Sequence, residues 1–354
     1  MPVKSDVRIA MRRSKSTEGV VLVTGSSGYI GSSVVRSLVR QGIATVGFDQ
    51  RAPAGDLIAG SPWVIGDVRD RTKLGETMAA HRVTAVVHLA GLKSVTESFE
   101  RPERYFDVNV GGTVSLIAAM VDTKVDRIVF SSSAAVYGRP AKVPVDEASP
   151  IQPENPYGES KALVERMLAW YDRCHGIRFV SLRYFNAAGA SFDLRFGEDW
   201  EAASNLIPAA MRSICHGQPV RVFGNDYPTA DGTAVRDYIH VEDLADAHLA
   251  ALSFLSSAGR SAVLNLGTGR GSSVDDVLHE IRRVSATSVQ ASYEPRRLGD
   301  PPRVYADASL ARSQLGWRAK YGLSEIIETA WGWHAAPPAD RSSRRPWDGT
   351  SGHS

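Results

Sequence analysis

Cysteine is almost missing from this 354-residue sequence, which carries only Cys174 and Cys215. Two thiols so far apart build neither a disulfide framework nor a zinc cluster; no metal site is expected, and a reducing compartment such as the cytoplasm fits best. Both cysteines read as buried fillers. An excess of one charge is missing too: 41 basic side chains face 39 acidic ones, a formal charge of +2. That balance lacks the basic surface of a nucleic-acid binder. No apolar run reaches the roughly 18 residues that span a bilayer, and the first twenty residues lack an apolar signal core, so no membrane partner is expected. With 43% hydrophobic and 23% charged residues, collagen-like, coiled-coil and globally disordered chains are excluded as well.

What is present is an alternation of short apolar β-branched runs with helix-length amphipathic stretches. Candidate strands are Val20 to Thr24, Ala44 to Asp49, Trp63 to Ile65, Ala85 to Leu89, Arg127 to Ser131 and Phe179 to Arg183. Such runs suit a parallel sheet buried on both faces, the doubly wound α/β architecture of Rossmann type. After about Asn186 the texture turns Pro- and Gly-punctuated, with strands at Val220 to Phe223 and Ala262 to Leu266, helices from Val241 and Val274, and an arginine-bearing loop at Pro295 to Pro302. The expected organisation is a flexible leader at 1–19, a dinucleotide domain at 20–186, a smaller mixed domain at 187–334 with chain crossovers to the first, and a disordered tail at 335–354.

The first strand runs into Gly25, Ser26, Ser27, Gly28, Tyr29, Ile30 and Gly31, followed by a helix from about Ser32 to Arg40. Glycines three apart allow a tight turn, close approach to a pyrophosphate and close helix packing, while the helix N-terminus offers amide donors. Asp49 ends the next strand, about 24 residues after Gly25, where an acid accepts both hydroxyls of an adenosine ribose and repels a 2′-phosphate. NAD is therefore favoured over NADP. Asp67, next to Val68, either accepts from the adenine amino group or caps the following helix.

Tyr157 and Lys161 are four apart and share a helix face, with Pro156 in the first turn. A nearby ammonium and a positive nicotinamide ring would both favour the phenolate of a tyrosine that is otherwise a poor base. Upstream, the strand ending at Phe130 delivers Ser131, Ser132 and Ser133 to the carboxyl edge of the sheet. Ser133 can bridge a substrate and Tyr157, and at least one of the three serines is expected to cap a turn.

Together the glycine loop, the Tyr-x-x-x-Lys pair and the serine run resemble the extended short-chain dehydrogenase/reductase family. Longer segments resemble its UDP-glucose 4-epimerase branch: HLAGLKSV at 88–95, SSSAAVYG at 131–138, NPYGESK at 155–161, RYFNAAGA at 183–190 and FGNDYPTADGTAVRDYIHVEDLADAH at 223–248. The resemblance implies Tyr157 as base, Ser133 as its hydrogen-bonding partner and Lys161 as ligand of the nicotinamide ribose. It further implies cofactor contacts at Tyr29, Ile30, Asp49, Asp67, Val68, Leu89, Ala90, Gly91, Lys93, Tyr184 and Phe185. For a nucleotide-sugar it implies Lys93, Ser133, Tyr157, Asn186, Asn205, Leu206, Arg221, Phe223, Arg236, Arg297 and Asp300. Guanidinium forks such as Arg236 and Arg297 suit a diphosphate. Where the family commonly reads Asn-Asn-Val before Gly-Thr, this chain has Val108, Asn109 and Val110, so Asn109 becomes the candidate for that cofactor contact.

The activity implied is 4-epimerisation of UDP-hexoses, UDP-glucose with UDP-galactose, through a 4-keto sugar and with NAD regenerated each turnover. Ala134 and Ala135 stand where dehydratases commonly place an acidic pair, which argues against elimination. Epimerases of UDP-pentoses or UDP-uronates, and a non-catalytic dinucleotide sensor, are the competing readings. Val304 aligns with a family gate residue whose small forms admit N-acetyl groups, with Tyr305 the alternative if the loop shifts by one. Family members pair as homodimers through two long helices, here near Val110 to Met120 and Ala162 to Tyr171.

Overall fold

The computed structural model describes residues 19–53, 61–200, 205–297 and 300–335; the expected leader and tail lie outside the described residues, apart from Gly19 and Ala335. The first six strands are β1 (Val20–Thr24), β2 (Thr45–Asp49), β3 (Trp63–Ile65), β4 (Val83–His88), β5 (Arg127–Ser133) and β6 (Arg178–Tyr184). Eight more follow: β7 (Asn186–Ala188), β8 (Val220–Phe223), β9 (Val235–Arg236), β10 (Tyr238–His240), β11 (Ala262–Leu266), β12 (Ser272–Ser273), β13 (Ala291–Glu294) and β14 (Arg303–Val304). The helices of the first half are α1 (Tyr29–Arg40), α2 (Arg71–Ala80), α3 (Val95–Glu100), α4 (Pro102–Tyr105), α5 (Gly112–Thr123) and α6 (Pro156–His175). Those of the second half are α7 (Leu206–Cys215), α8 (Val241–Ala258), α9 (Val274–Ser285), α10 (Ser309–Leu315) and α11 (Leu323–His334).

Seven strands form one sheet in the order β11-β6-β5-β4-β1-β2-β3, every neighbouring pair parallel. The runs VVLVT and VTAVVH are mostly apolar on both faces because both sheet faces are covered. Apolar residues of α1, α8 and α10 cover one face; those of α2, α5 and α6 cover the other. The chain leaves β1 toward β2 and β3 and returns for β4 on the other side, so a crevice opens beyond the carboxyl ends of β1 and β4.

Two elements of 187–334 cross back to the first domain. Ala262–Leu266 does not belong to the second lobe but pairs with β6 as the outermost strand of the central sheet. Helix α8 likewise buries Leu244, Ala247, Ala251, Leu252 and Leu255 in the core shared with β1 and α1. The second lobe keeps α7, α9 and α11 around the β8–β13 pair, and a three-stranded β12-β9-β14 sheet. The cysteines also correct the reading, since both are exposed. Cys174 and Cys215 fall in the last turns of α6 and α7, where each helix face turns to solvent.

Candidate active site

The glycine loop is shaped by contacts that leave no space for side chains. Gly25 has φ +71°, and a Cβ there would lie 2.5 Å from the Ala90 nitrogen; one on Gly31 would lie 2.0 Å from the Gly25 carbonyl oxygen. Helix α1 starts earlier than expected, at Tyr29, with Gly28 as an N-cap that offers no side-chain bond. The starts of α2, α6 and α9 are closed by the side chains of Asp70, Asn155 and Ser273, whereas α4, α7 and α10 share with α1 a start without a side-chain cap. An uncapped N-terminus beside glycine positions that admit no side chain fits a dinucleotide pyrophosphate. The Asp49 carboxylate lies against this loop, accepting from the backbone N–H of Ser27 (3.1 Å) and of Arg51 (3.3 Å). Asp67 does not cap α2, since Asp70 does; its carboxylate is gripped instead by Arg69 and by Gln50, and the guanidinium hydrogen bond holds it below the usual carboxylate range. Val68 is buried against Gly112, and Ile30 packs on the core.

Across the crevice, the loop after β4 is stitched to β1 by Leu89 N–H to the Thr24 carbonyl (3.1 Å) and Ala90 N–H to Thr24 Oγ1 (3.4 Å). Asn109 lies in a π-helical stretch, Phe106–Gly111, that joins α4 to α5. Its amide is committed to protein partners: Oδ1 accepts from Leu92 N–H (2.7 Å), and Nδ2 donates to the Leu92 carbonyl (3.1 Å) and Ser160 Oγ (2.9 Å). Lys93 reaches the second lobe, where Nζ meets Glu198 Oε1 at 2.6 Å. Tyr29 does the same through a 2.6 Å bond from its hydroxyl to the Gly189 carbonyl.

Strand β5 and the start of α6 meet at the same edge. Asn155 caps α6 by accepting from Gly158 N–H (2.8 Å), which sets Tyr157 in the first turn and Lys161 one turn later. Lys161, 5% exposed, donates from Nζ to the Ser131 carbonyl (2.8 Å) and lies 5.9 Å from the centre of the Tyr157 ring. Burial pushes this ammonium down to about 8. The three serines divide their tasks: Ser131 bonds the Tyr184 hydroxyl, Ser132 donates to Glu165, and Ser133 caps the following turn by accepting from Ala135 N–H while lying against the Tyr157 phenol. Burial raises Tyr157 above the usual phenol value, opposed by the bond with Ser133.

The nucleotide-sugar candidates lie on several elements. Phe223 at the end of β8 is flanked by guanidinium groups, Arg297 at 4.0 Å and Arg221 at 5.0 Å from the ring centre. Arg236 on β9 approaches Asp300 at 3.4 Å and pairs in register with Val304 of β14. Val304 packs on an apolar cluster that contains Phe185, Val136, Tyr137 and Ala162, the last of these on α6. Asn186 opens β7, and its N–H bonds the Asp237 carbonyl (3.0 Å). Asn205 is the N-cap of α7 without a side-chain bond, and Leu206 begins that helix. Three participants were not foreseen. Glu198 meets Lys93 across 105 residues with no local signal, and Arg183 likewise reaches its partner from another strand. Glu165, four residues beyond Lys161, was open to the same spacing argument that singled out Tyr157.

These features agree with comparisons to known proteins. The model of the NAD dependent epimerase/dehydratase family matches residues 21–267. A UDP-glucose 4-epimerase from Lactobacillus helveticus is 42% identical over 323 residues, spanning 90% of this chain and 98% of the relative. The solved UDP-glucose 4-epimerase of Stenotrophomonas maltophila, with bound NAD and formylated UDP-arabinopyranose, has TM-score 0.87 and 40% identity, covering 92% of this chain and 100% of that one. That of Brucella ovis, in complex with NAD, has TM-score 0.86 and 42% identity, covering 89% and 98%. With its family model matched over well more than half its length and relatives this similar end to end, the chain belongs to the NAD dependent epimerase/dehydratase family.

Proposed function

We propose that this chain inverts C4 of UDP-hexoses, interconverting UDP-glucose and UDP-galactose, with NAD as its resident cofactor. The observation that carries the reading is the meeting of Ser133, Tyr157 and Lys161 at the sheet edge next to an uncapped, glycine-lined helix start. When bound, NAD supplies a reversible hydride acceptor at C4, so the sugar passes through its 4-keto form. Tyr157 is the group assigned to take and return the proton of the C4 hydroxyl, with Ser133 orienting it. Since burial raises the phenol, proton abstraction needs positive charge beside it, and Lys161 is the cation that the chain itself places there. Arg236, Arg297 and Phe223 anchor the nucleotide diphosphate, leaving the hexose free to turn. Gly25, Gly28, Gly31 and Asp49 are assigned to the dinucleotide, with Leu89, Ala90, Gly91, Tyr184 and Phe185 around its nicotinamide end.

The test is Tyr157→Phe: conversion of UDP-galactose to UDP-glucose should be lost while NAD stays on the protein, and unchanged turnover would overturn the assignment. N-acetylhexosamine nucleotides belong to the same proposal. Val304 packs on the apolar cluster that contains Phe185, whereas Tyr305 lies over Gly271, which supports Val304 as the gate. Turnover of UDP-N-acetylglucosamine is the expected outcome, and its absence would sink this part. A homodimer through α5 and α6 is supported by Val114 and Trp170, exposed at 42% and 61% on those helices; sedimentation at twice the chain mass is expected. The cytoplasm is the proposed location, on the scarcity of cysteine; among the described residues no helix is long and apolar enough to cross a membrane.

A further inference from the structure

Behind the serine edge lies a buried polar cluster that the chemistry above leaves unused. Tyr157, Lys161 and Glu165 follow one another at four-residue spacing on one face of α6. The Glu165 carboxylate, on a residue 8% exposed, accepts from Ser132 Oγ at 2.5 Å and from Arg183 Nε at 2.9 and 3.2 Å, with Arg183 Nη2 closing the fork. Arg183 also donates from Nη1 to the Tyr137 hydroxyl (2.9 Å), which donates to Asn265 Oδ1 (2.7 Å). One carboxylate thus ties α6 to β5 and β6, and through Tyr137 and Asn265 to β11. Ser132 sits between Ser131, whose carbonyl receives Lys161, and Ser133.

Stability alone does not account for this pair. Desolvating two ions costs about as much as their attraction returns, and apolar replacements of similar volume are often neutral or better. What the pair does supply is an anion one turn from Lys161. The groups facing that ammonium from other elements bring none: His88 on β4 is kept neutral by burial, Tyr184 on β6 is raised by burial, Phe130 on β5 presents its ring at 5.0 Å, and the Asn109 amide is uncharged. On its own helix, the Tyr157 phenol is raised. Arg183, the cation behind the cluster, spends its donors on Glu165 and Tyr137.

We propose that Glu165 is a positioning residue, which keeps Lys161 cationic and holds the serine edge in fixed register against the catalytic helix. Burial lowers Lys161, and Glu165 acts in the opposite sense. The inference rests on the epimerase reading, and its test has one arm that does not need turnover.

The decisive variant is Glu165→Gln, which keeps the shape and drops the charge. The alkaline limb of the kcat–pH profile should move down by about one pH unit, a roughly tenfold loss on the alkaline side, with KM for UDP-galactose unchanged. A purely structural role would lower kcat equally at every pH, and would overturn the proposal. Ser132→Ala leaves the charge in place and should leave the limb where it is; a displacement equal to that of Glu165→Gln would assign the effect to the hydrogen bond and overturn it as well. The second arm is NAD binding to NAD-free protein by equilibrium dialysis across pH, where Glu165→Gln should lose affinity at lower pH than the parent. That arm answers even if the wild-type chain does not epimerise. Should Glu165→Gln fail to fold, the apolar pair Glu165→Met with Arg183→Met is expected to fold and show the same displacement. Limbs and dialysis midpoints that coincide with the parent's would end the proposal.

Discussion

Burying Lys161 has an energetic signature that is measurable without substrate. In the fold its ammonium titrates at about 8 against an ordinary 10.5, chiefly because burial penalises the charge. That gap corresponds to about 3 kcal/mol of destabilisation whenever both folded and unfolded chains hold the proton. The sign follows from linkage. With the folded value depressed, the unfolded chain binds more protons between about 8 and 10.5, so the Lys161 contribution to stability improves as pH rises through that window and is worst below it. Lys161→Met removes the charge while keeping the length. Near pH 7 the variant should therefore be more stable than the parent by up to about 3 kcal/mol, less the lost hydrogen bond to the Ser131 carbonyl, worth about 1 kcal/mol. By about pH 9.5 the gap should shrink by roughly 2 kcal/mol. Urea unfolding of NAD-free parent and variant at the two pH values reads the difference directly, and other titrating groups cancel in the comparison. A gap that does not change with pH would refute the reasoning, and with it the idea that this amine is held charged at a cost.

Two further outcomes follow from geometry. Gly31→Ala puts a Cβ 2.0 Å from the Gly25 carbonyl, and backbone cannot yield as a side-chain tip can; NAD content after gel filtration should fall at least tenfold, and full retention would contradict the packing argument. Asn155→Ala removes the cap of α6 and should cost about 1 kcal/mol in thermal unfolding, with kcat lowered because the first turn carries Tyr157; no change in either would show that the cap is dispensable.

Legibility in the sequence tracked locality. The glycine loop, the Pro156 start and the Tyr157–Lys161 spacing were readable because each is a constraint among residues a few positions apart. So were the central strands, whose unbroken apolar runs report burial on both sides. What escaped depends on distant partners. AVLNL at 262–266 reads as a strand wherever it pairs, and nothing in it names β6 as its neighbour. Asp67 and Asp70 are equally plausible caps until the backbone turns, and only Asp70 reaches Lys73 N–H. The cysteines misled for a related reason: composition favours burying them, but the helix ends that carry them face water. At Tyr157 the sequence conveys the spacing to Lys161 but not the burial that raises the phenol.

The outermost strand, Ala262–Leu266, lies beside β6 although nearly eighty residues separate them along the chain. The first lobe is thus not a module that precedes the second; its final stave is delivered only after α7, β8 and β9 of the other lobe have been threaded. A ribosome must release residue 266 before the sheet has its full width, and a fragment ending near 200 would display a raw β6 edge to its neighbours. Completing the central sheet therefore draws on chain that lies beyond the start of the second lobe.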